Sequence, residues 1–398
     1  MGGRRALLAV LASGLAASGC GFAVPGFSVS TDGAASDGGL VVDAAHGPAF
    51  VPAHVSPGAV VPGASSLSGA SDIDTEQLRI DGAAPIPGIV FKADPVNDGW
   101  AVLSVHDFSV TRDLLVHGRR ALVVVAVGAI EVRATLHAGA QQRTPGPGGQ
   151  FTGEGPGSDG KSSNANDSGG GGAGHGTLGA TGGASASSSN GEGGQGGIAY
   201  ATELAGGSGG GAGSGAVGGA IPCPGNQGFS LGGAGGGVVQ LSAGTSLDVL
   251  FAGTIDAGGG GGRAGCKESA SAGGGGGSGG SLWLEAPKMN LAGSITANGG
   301  AGGSGGRANG TDSNDGQDGQ DAPSSTTPAR GGQSTGMGSG AGGDGGVLGV
   351  APATGDKATN GGGGGGAVGR IVLRTRATSP ITGATTVISP APAKSVDF

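Results

Sequence analysis

Ala134-Thr-Leu-His-Ala-Gly139, Gly253-Thr-Ile-Asp-Ala-Gly258 and Gly293-Ser-Ile-Thr-Ala-Asn-Gly299 are three versions of one phrase. Each is a short alternation of apolar and polar residues closed by Ala and Gly or Asn, which reads as a β-strand reaching its turn. A second strand recurs ahead of the later two. Val238-Val-Gln-Leu-Ser-Ala243 aligns with Leu282-Trp-Leu-Glu-Ala286, and Ile371-Val-Leu-Arg374 is a looser third copy. Gly-rich runs precede all three, at 235–237, 273–280 and 361–366. The repeating unit is therefore strand, short turn, strand, Gly-rich excursion. One unit cannot bury its own apolar side chains, but stacked copies can. The expected fold class is all-β: parallel β-solenoid-like strands with long Gly-rich excursions outside a narrow core, either polyproline-II-like or disordered.

Composition extends this reading outward. Of 100 Gly in 398 residues, 18 lie in 1–138 and 82 in 139–398, so the chain changes character near residue 140. Gly at that density opposes helix by about 1 kcal/mol per residue. Residues 72–140 carry short β-branched runs such as Ile89-Val-Phe91 and Leu122 to Val127, broken by Asp, Gly and Pro. The expected organisation is a signal peptide at 1–19 and a lipidated disordered tether at 20–71. An N-terminal β region at 72–140, a Gly-rich repeat domain at 141–376 and a C-terminal tail at 377–398 follow.

The N-terminus carries an address. Arg4 and Arg5 precede the apolar run Ala6 to Ala17, which has the length of a signal h-region and is too short to span a bilayer. Ala17-Ser-Gly-Cys20 resembles the lipobox of bacterial lipoproteins, with Ala where that family usually has Leu. The resemblance implies that Cys20 is lipidated, becomes the mature N-terminus and holds the protein on the outer membrane. The alternative is an ordinary cleaved signal with an incidental cysteine. The other two cysteines, Cys223 and Cys266, are candidates for a disulfide in an exported protein. The net charge of −8 argues against nucleic acid as a partner.

No motif specifies a reaction. Gly155-Pro-Gly-Ser-Asp-Gly160-Lys161-Ser162 matches the phosphate-binding loop letter for letter, but no helix can follow it, so no nucleotide is expected. Gly-x-Ser-x-Gly occurs around Ser208, Ser278 and Ser304, with no His after any of them, against the order the hydrolase elbow requires. The six His are dispersed, and no metal or cofactor is expected. Asp312 to Asp321 alternates acids and amides around Gly316; it reads as a solvated loop or as a weak Ca²⁺ site. Trp283 alternates with Leu282 and Leu284, so it is expected to face outward as an exposed ligand contact, with Glu285 near it.

From residue 114 to 376 the chain resembles a family of uncharacterised glycine-rich exported lipoproteins of Gram-negative bacteria. The resemblance rests on Ala121-Leu-Val-Val-Val125, Ala134-Thr-Leu-His-Ala138, Gly146-Pro-Gly-Gly149, Gly273 to Ala286, Ile295-Thr-Ala-Asn-Gly-Gly300 and Gly361 to Ile371. A weaker, compositional likeness is to the polymorphic GC-rich repeat domains of mycobacterial envelope proteins. Neither implies an activity. The functional expectation is a non-catalytic, lipid-anchored structural or adhesive envelope protein. The second expectation is a polysaccharide-binding module, or a degenerate solenoid polysaccharide lyase, with envelope polysaccharide as partner.

Overall fold

In a computed structural model of the chain, the repeated phrases pair with one another in register. The described residues are 51–396, apart from 57, 61, 164–165, 187–191, 203, 216–229, 268–270, 307–314, 377–380 and 384–386. Leu136 lies opposite Ile255, and Ile255 opposite Ile295. Gln240 lies opposite Trp283, and Trp283 opposite Val372. All these pairings are parallel, and no helix occurs among the described residues.

Consecutive strands go to three sheets in turn. Ala121–Ala126, Val238–Ala243, Ser281–Glu285 and Arg370–Thr375 belong to a seven-stranded first sheet. Ile130–Val132, Leu247–Val249 and Met289–Leu291 belong to a six-stranded second sheet. Thr135–His137, Thr254–Asp256 and Ser294–Thr296 belong to a seven-stranded third sheet. Pairing within these sheets is parallel except where Val90–Ala93 and Arg79–Ile80 add antiparallel edges to the first and third.

Alternation explains the core. Leu122, Val124, Val239, Leu241, Leu282, Leu284, Ile371 and Leu373 of the first sheet meet Ile130, Leu247 and Leu291 of the second and Leu136, Ile255 and Ile295 of the third. Each fully buried side chain of this size stabilises by about 1.5–3 kcal/mol. The first-sheet strands are buried on both faces, which is why they read as continuous apolar runs rather than alternating ones.

Every long Gly excursion leaves from the same corner, after the third sheet, and returns to the first sheet: 138–237, 257–280 and 297–369. Their described residues therefore gather on one side, where they pack in order. Hydrogen bonding there has a three-residue period. The amides of Gly170 and Ala173 donate to Gly273 and Gly276, those of Gly171 and Gly174 to Ser158 and Gly155, and those of Gly169 and Gly172 to Gly183 and Ala180. Gly273 and Gly276 in turn donate to Gly361 and Gly364, Gly274 and Gly277 to Arg263 and Gly260, and Gly275 and Ser278 to Gly211 and Ser208. Each of these two segments thus donates to three neighbours and accepts from three others, among them Gly194, Gly211 and Gly364 for the first, as packed threefold helices allow. Glycine is required because the backbones touch. A Cβ on Gly172, Gly275 or Gly363 would overlap the carbonyl of Gly365, Gly171 or Gly274.

The expectation of a parallel β-solenoid with outlying Gly excursions is corrected by these findings. The described residues form three mostly parallel sheets and one two-stranded antiparallel pair, Ser162–Ser163 with Asn166–Asp167, and their Gly segments are a buried, hydrogen-bonded body rather than loops outside a core. The physical reason is that a segment without side chains satisfies its backbone groups by close approach to others like it. The expected domain limits also shift. Residues 51–71, read as the end of a tether, lie on the sheets: Ala59 is fully buried and Leu67–Ser68 pairs with Phe108–Val110. The tail after 376 supplies Val387–Ser389 and Ala393–Val396 to the third and first sheets. Cys20, the expected lipidation site, and Cys223 lie outside the described residues.

Candidate functional site

Trp283 and Glu285 do point away from the core, but neither is an exposed contact. Trp283 is 7 % exposed and Glu285 0 %. The outer row of the first sheet is covered by the described residues of 51–60, whose Ala53, Val55 and Val60 pack against the cluster of Val102, Val123, Trp283 and Val372. His54 stands edge-on to Trp283 at 4.3 Å between ring centroids. Glu285 accepts from Trp283 Nε1 at 2.6 Å, Ser242 Oγ at 2.8 Å, Ala53 N at 3.1 Å and Arg374 Nη1 at 3.1 Å. The expectation of a surface ligand contact is therefore corrected. The carboxylate ties residues 51–60 to the sheet, and the Trp lies beneath them.

The other sequence candidates also take backbone partners. Ser208 Oγ accepts from Gly155 N, Ser278 Oγ from Ser208 N and Ser304 Oγ from Gln317 N. In the acidic tract, Asp312 to Asn314 lie outside the described residues. Asp315, Asp318 and Asp321 accept from the amides of Lys267, Ala264 and Gly261. Acids at every third position cap amides at every third position, as two adjacent threefold helices require. Cys266 is buried and disulfide-bonded.

The cluster that the fold assembles is one the sequence reading passed over. His137, Asp256, Thr296 and Ser389 are consecutive partners across the third sheet. Asp256, almost fully buried, accepts from Thr296 Oγ1 at 3.0 Å and from Gly258 N at 3.2 Å, and pairs with His137 Nδ1 at 2.9 Å. His137 opens with Asp321, Gln141, Gln142 and Thr144 onto a cavity of about 560 Å³. The hydrogen bond to Asp256 raises the His137 pKa against a smaller opposing effect of burial, helped by the charges of Asp256 and Asp321. Burial raises that of Asp321, against two backbone amide hydrogen bonds that lower it. The signal was in the sequence: the three aligned phrases place His137, Asp256 and Thr296 in the same column.

Perturbed titratable groups around a cavity mark a candidate site. The geometry limits its chemistry. In a hydroxyl-nucleophile relay the imidazole stands between acid and hydroxyl. Here the acid stands between imidazole and hydroxyl, so Thr296 is not activated by His137. Among the described residues no group of three or more His, Cys, Asp or Glu could hold a metal ion. What the arrangement offers is a proton-holding imidazole beside two carboxylates, suited to hydrogen-bonding a polar ligand. Comparison with known proteins gives no match to a family profile, a curated protein or a solved structure.

A second histidine makes stability depend on pH. His175 is fully buried, stacked on Tyr200 at 4.4 Å, with Nδ1 2.7 Å from the Gly279 carbonyl. Burial drives its pKa down to about 4. The unfolded chain takes up this proton near pH 6.5 and the folded chain only near 4, so stability is present above 6.5 and lost as pH falls through that window. At about 1.4 kcal/mol per pH unit the loss is roughly 3 kcal/mol. Urea midpoints at pH 7 and pH 4.5 should differ accordingly, and His175→Gln should flatten the difference; an unchanged slope in the variant would reject this assignment. His137 has the opposite sign: its raised pKa gives stability present below pH 6.5 and lost as pH rises through the folded value.

Proposed function

We propose that this protein is a non-catalytic structural or adhesive component of the bacterial cell envelope, exported and held on the outer membrane through a lipid on Cys20. The observation that carries this reading is the internal use of its functional-type side chains. Glu285, Asp256, Asp318 and the three elbow-like serines all bond within the chain, and the Gly body is cross-bonded on several faces. Such a body is suited to bearing load or presenting a surface. The polysaccharide reading loses its proposed contact, because Trp283 lies under residues 51–60.

The test is fractionation of the exporting cell. Wild-type protein should sediment with membranes, and Cys20→Ala should move most of it to the soluble fraction, since acyl chains supply about 0.8 kcal/mol per buried CH₂. Unchanged partitioning would remove the anchor. Release of soluble sugars from insoluble envelope polysaccharide by the purified protein would overturn the non-catalytic part.

A further inference from the structure

A different kind of opening is built from four separate stretches of the chain. The turn at 176–178, the turn at 347–352 and the segment 390–393 enclose about 710 Å³ with residues 368–371. Among the described residues its lining is apolar apart from Thr177 and Arg370, with no acidic side chain. Leu178 is 64 % exposed, Val350 49 % and Leu348 42 %. Large apolar side chains elsewhere on the described surface stand apart in sequence and outside this opening, whereas here three line one cavity. A cavity of this size and lining is typical of sites for small organic ligands.

Arg370 gives the cavity its chemistry. It starts the Arg370–Thr375 strand and alternates with Ile371, whose side chain is in the core, so it belongs to the outer row. Among the described residues its buried Nη1 has no hydrogen-bond partner, while the residue as a whole is partly exposed on the cavity lining. Arg370 brings the charge of this lining, and a guanidinium pairs with a carboxylate or a phosphate through its fork of donors. Arg374, four residues on in the same row, shows the contrast: it has Glu285. We infer that this cavity binds a fatty acid, with the carboxylate on Arg370 and the acyl chain along Leu178, Leu348, Val350 and Val368.

The test uses the full chain and sodium dodecanoate below micelle formation, with titration calorimetry as the readout. Dodecanoate should bind saturably at one site per chain, and dodecanol at least tenfold more weakly, because a charge-assisted hydrogen bond is lost. Arg370→Met keeps most of the side chain's apolar length and should bring dodecanoate down to the level of dodecanol. Leu178→Asp, at an exposed position, should weaken both ligands while leaving thermal unfolding unchanged. This second variant and the acid–alcohol comparison on the wild type stand even where Arg370→Met fails to fold. Absence of saturable binding, or equal affinity for acid and alcohol, would overturn the inference. So would tighter binding of dodecyl phosphate than of dodecanoate, which would assign the cavity to phosphate-headed lipids.

Discussion

Gly275→Ala is expected to cost more than about 3 kcal/mol of stability, or to prevent folding, although it adds one methyl group. Added methylenes in ordinary cores cost about 1–3 kcal/mol because side chains can shift to admit them. Here nothing can shift in that way. The new Cβ would overlap the backbone carbonyl of Gly171, and the Gly171 amide is itself held by Ser158. Moving the 171 segment breaks bonds to its other neighbours, so one methyl is felt across several segments of the chain. Gly58→Ala is the matched control. A Cβ there meets nothing within 4 Å, and the residue is not among those with left-handed φ. It should be neutral or slightly stabilising, within about 1 kcal/mol. Urea titration of both variants decides the matter. Equal stability of Gly275→Ala and wild type would mean that the Gly body is not close-packed in solution.

Glu285→Ala is the second large effect, expected at about 3–5 kcal/mol. The substitution leaves Trp283 Nε1, Ala53 N and Ser242 Oγ without their acceptor and the Arg374 guanidinium without its counter-charge. Arg374 is one-fifth exposed and can turn to water, which places the loss toward the lower end of that range. The location of the effect identifies its cause. Amide exchange should accelerate at Ala53 to Ala59, the segment Glu285 holds, before it accelerates in the Val238–Ala243 strand. Global destabilisation with no selective loss of protection at 53–59 would show that the carboxylate does not tether the segment.

Much of the sheet framework was legible in the sequence, for a simple reason. Strand phrases carry side chains, and side chains record which face is buried. The aligned phrases at 134, 253 and 293 stack on one another, and their shared column became the His137–Asp256–Thr296 row. The candidate pocket could have been found from that column, had the aligned polar residues been read as neighbours. Asp321 could not, because it reaches His137 from an excursion whose path the sequence does not record. Strand alternation puts Trp283 on the outward face, but its cover is illegible in the sequence, because Ala53, Val55 and Val60 lie in a stretch with the composition of a tether.

Composition by itself determined that helices would be disfavoured, that strands would recur, and that the changes in character would fall where Gly becomes dense. Tertiary structure alone decided that the excursions form a body, which neighbours each one bonds, and which polar groups end inside. A Gly tract has no side chain to set a register, so one Gly amide is chemically the same as the next. Its partner is chosen only when all the segments are packed together, by which carbonyl lies within reach on each of the three faces.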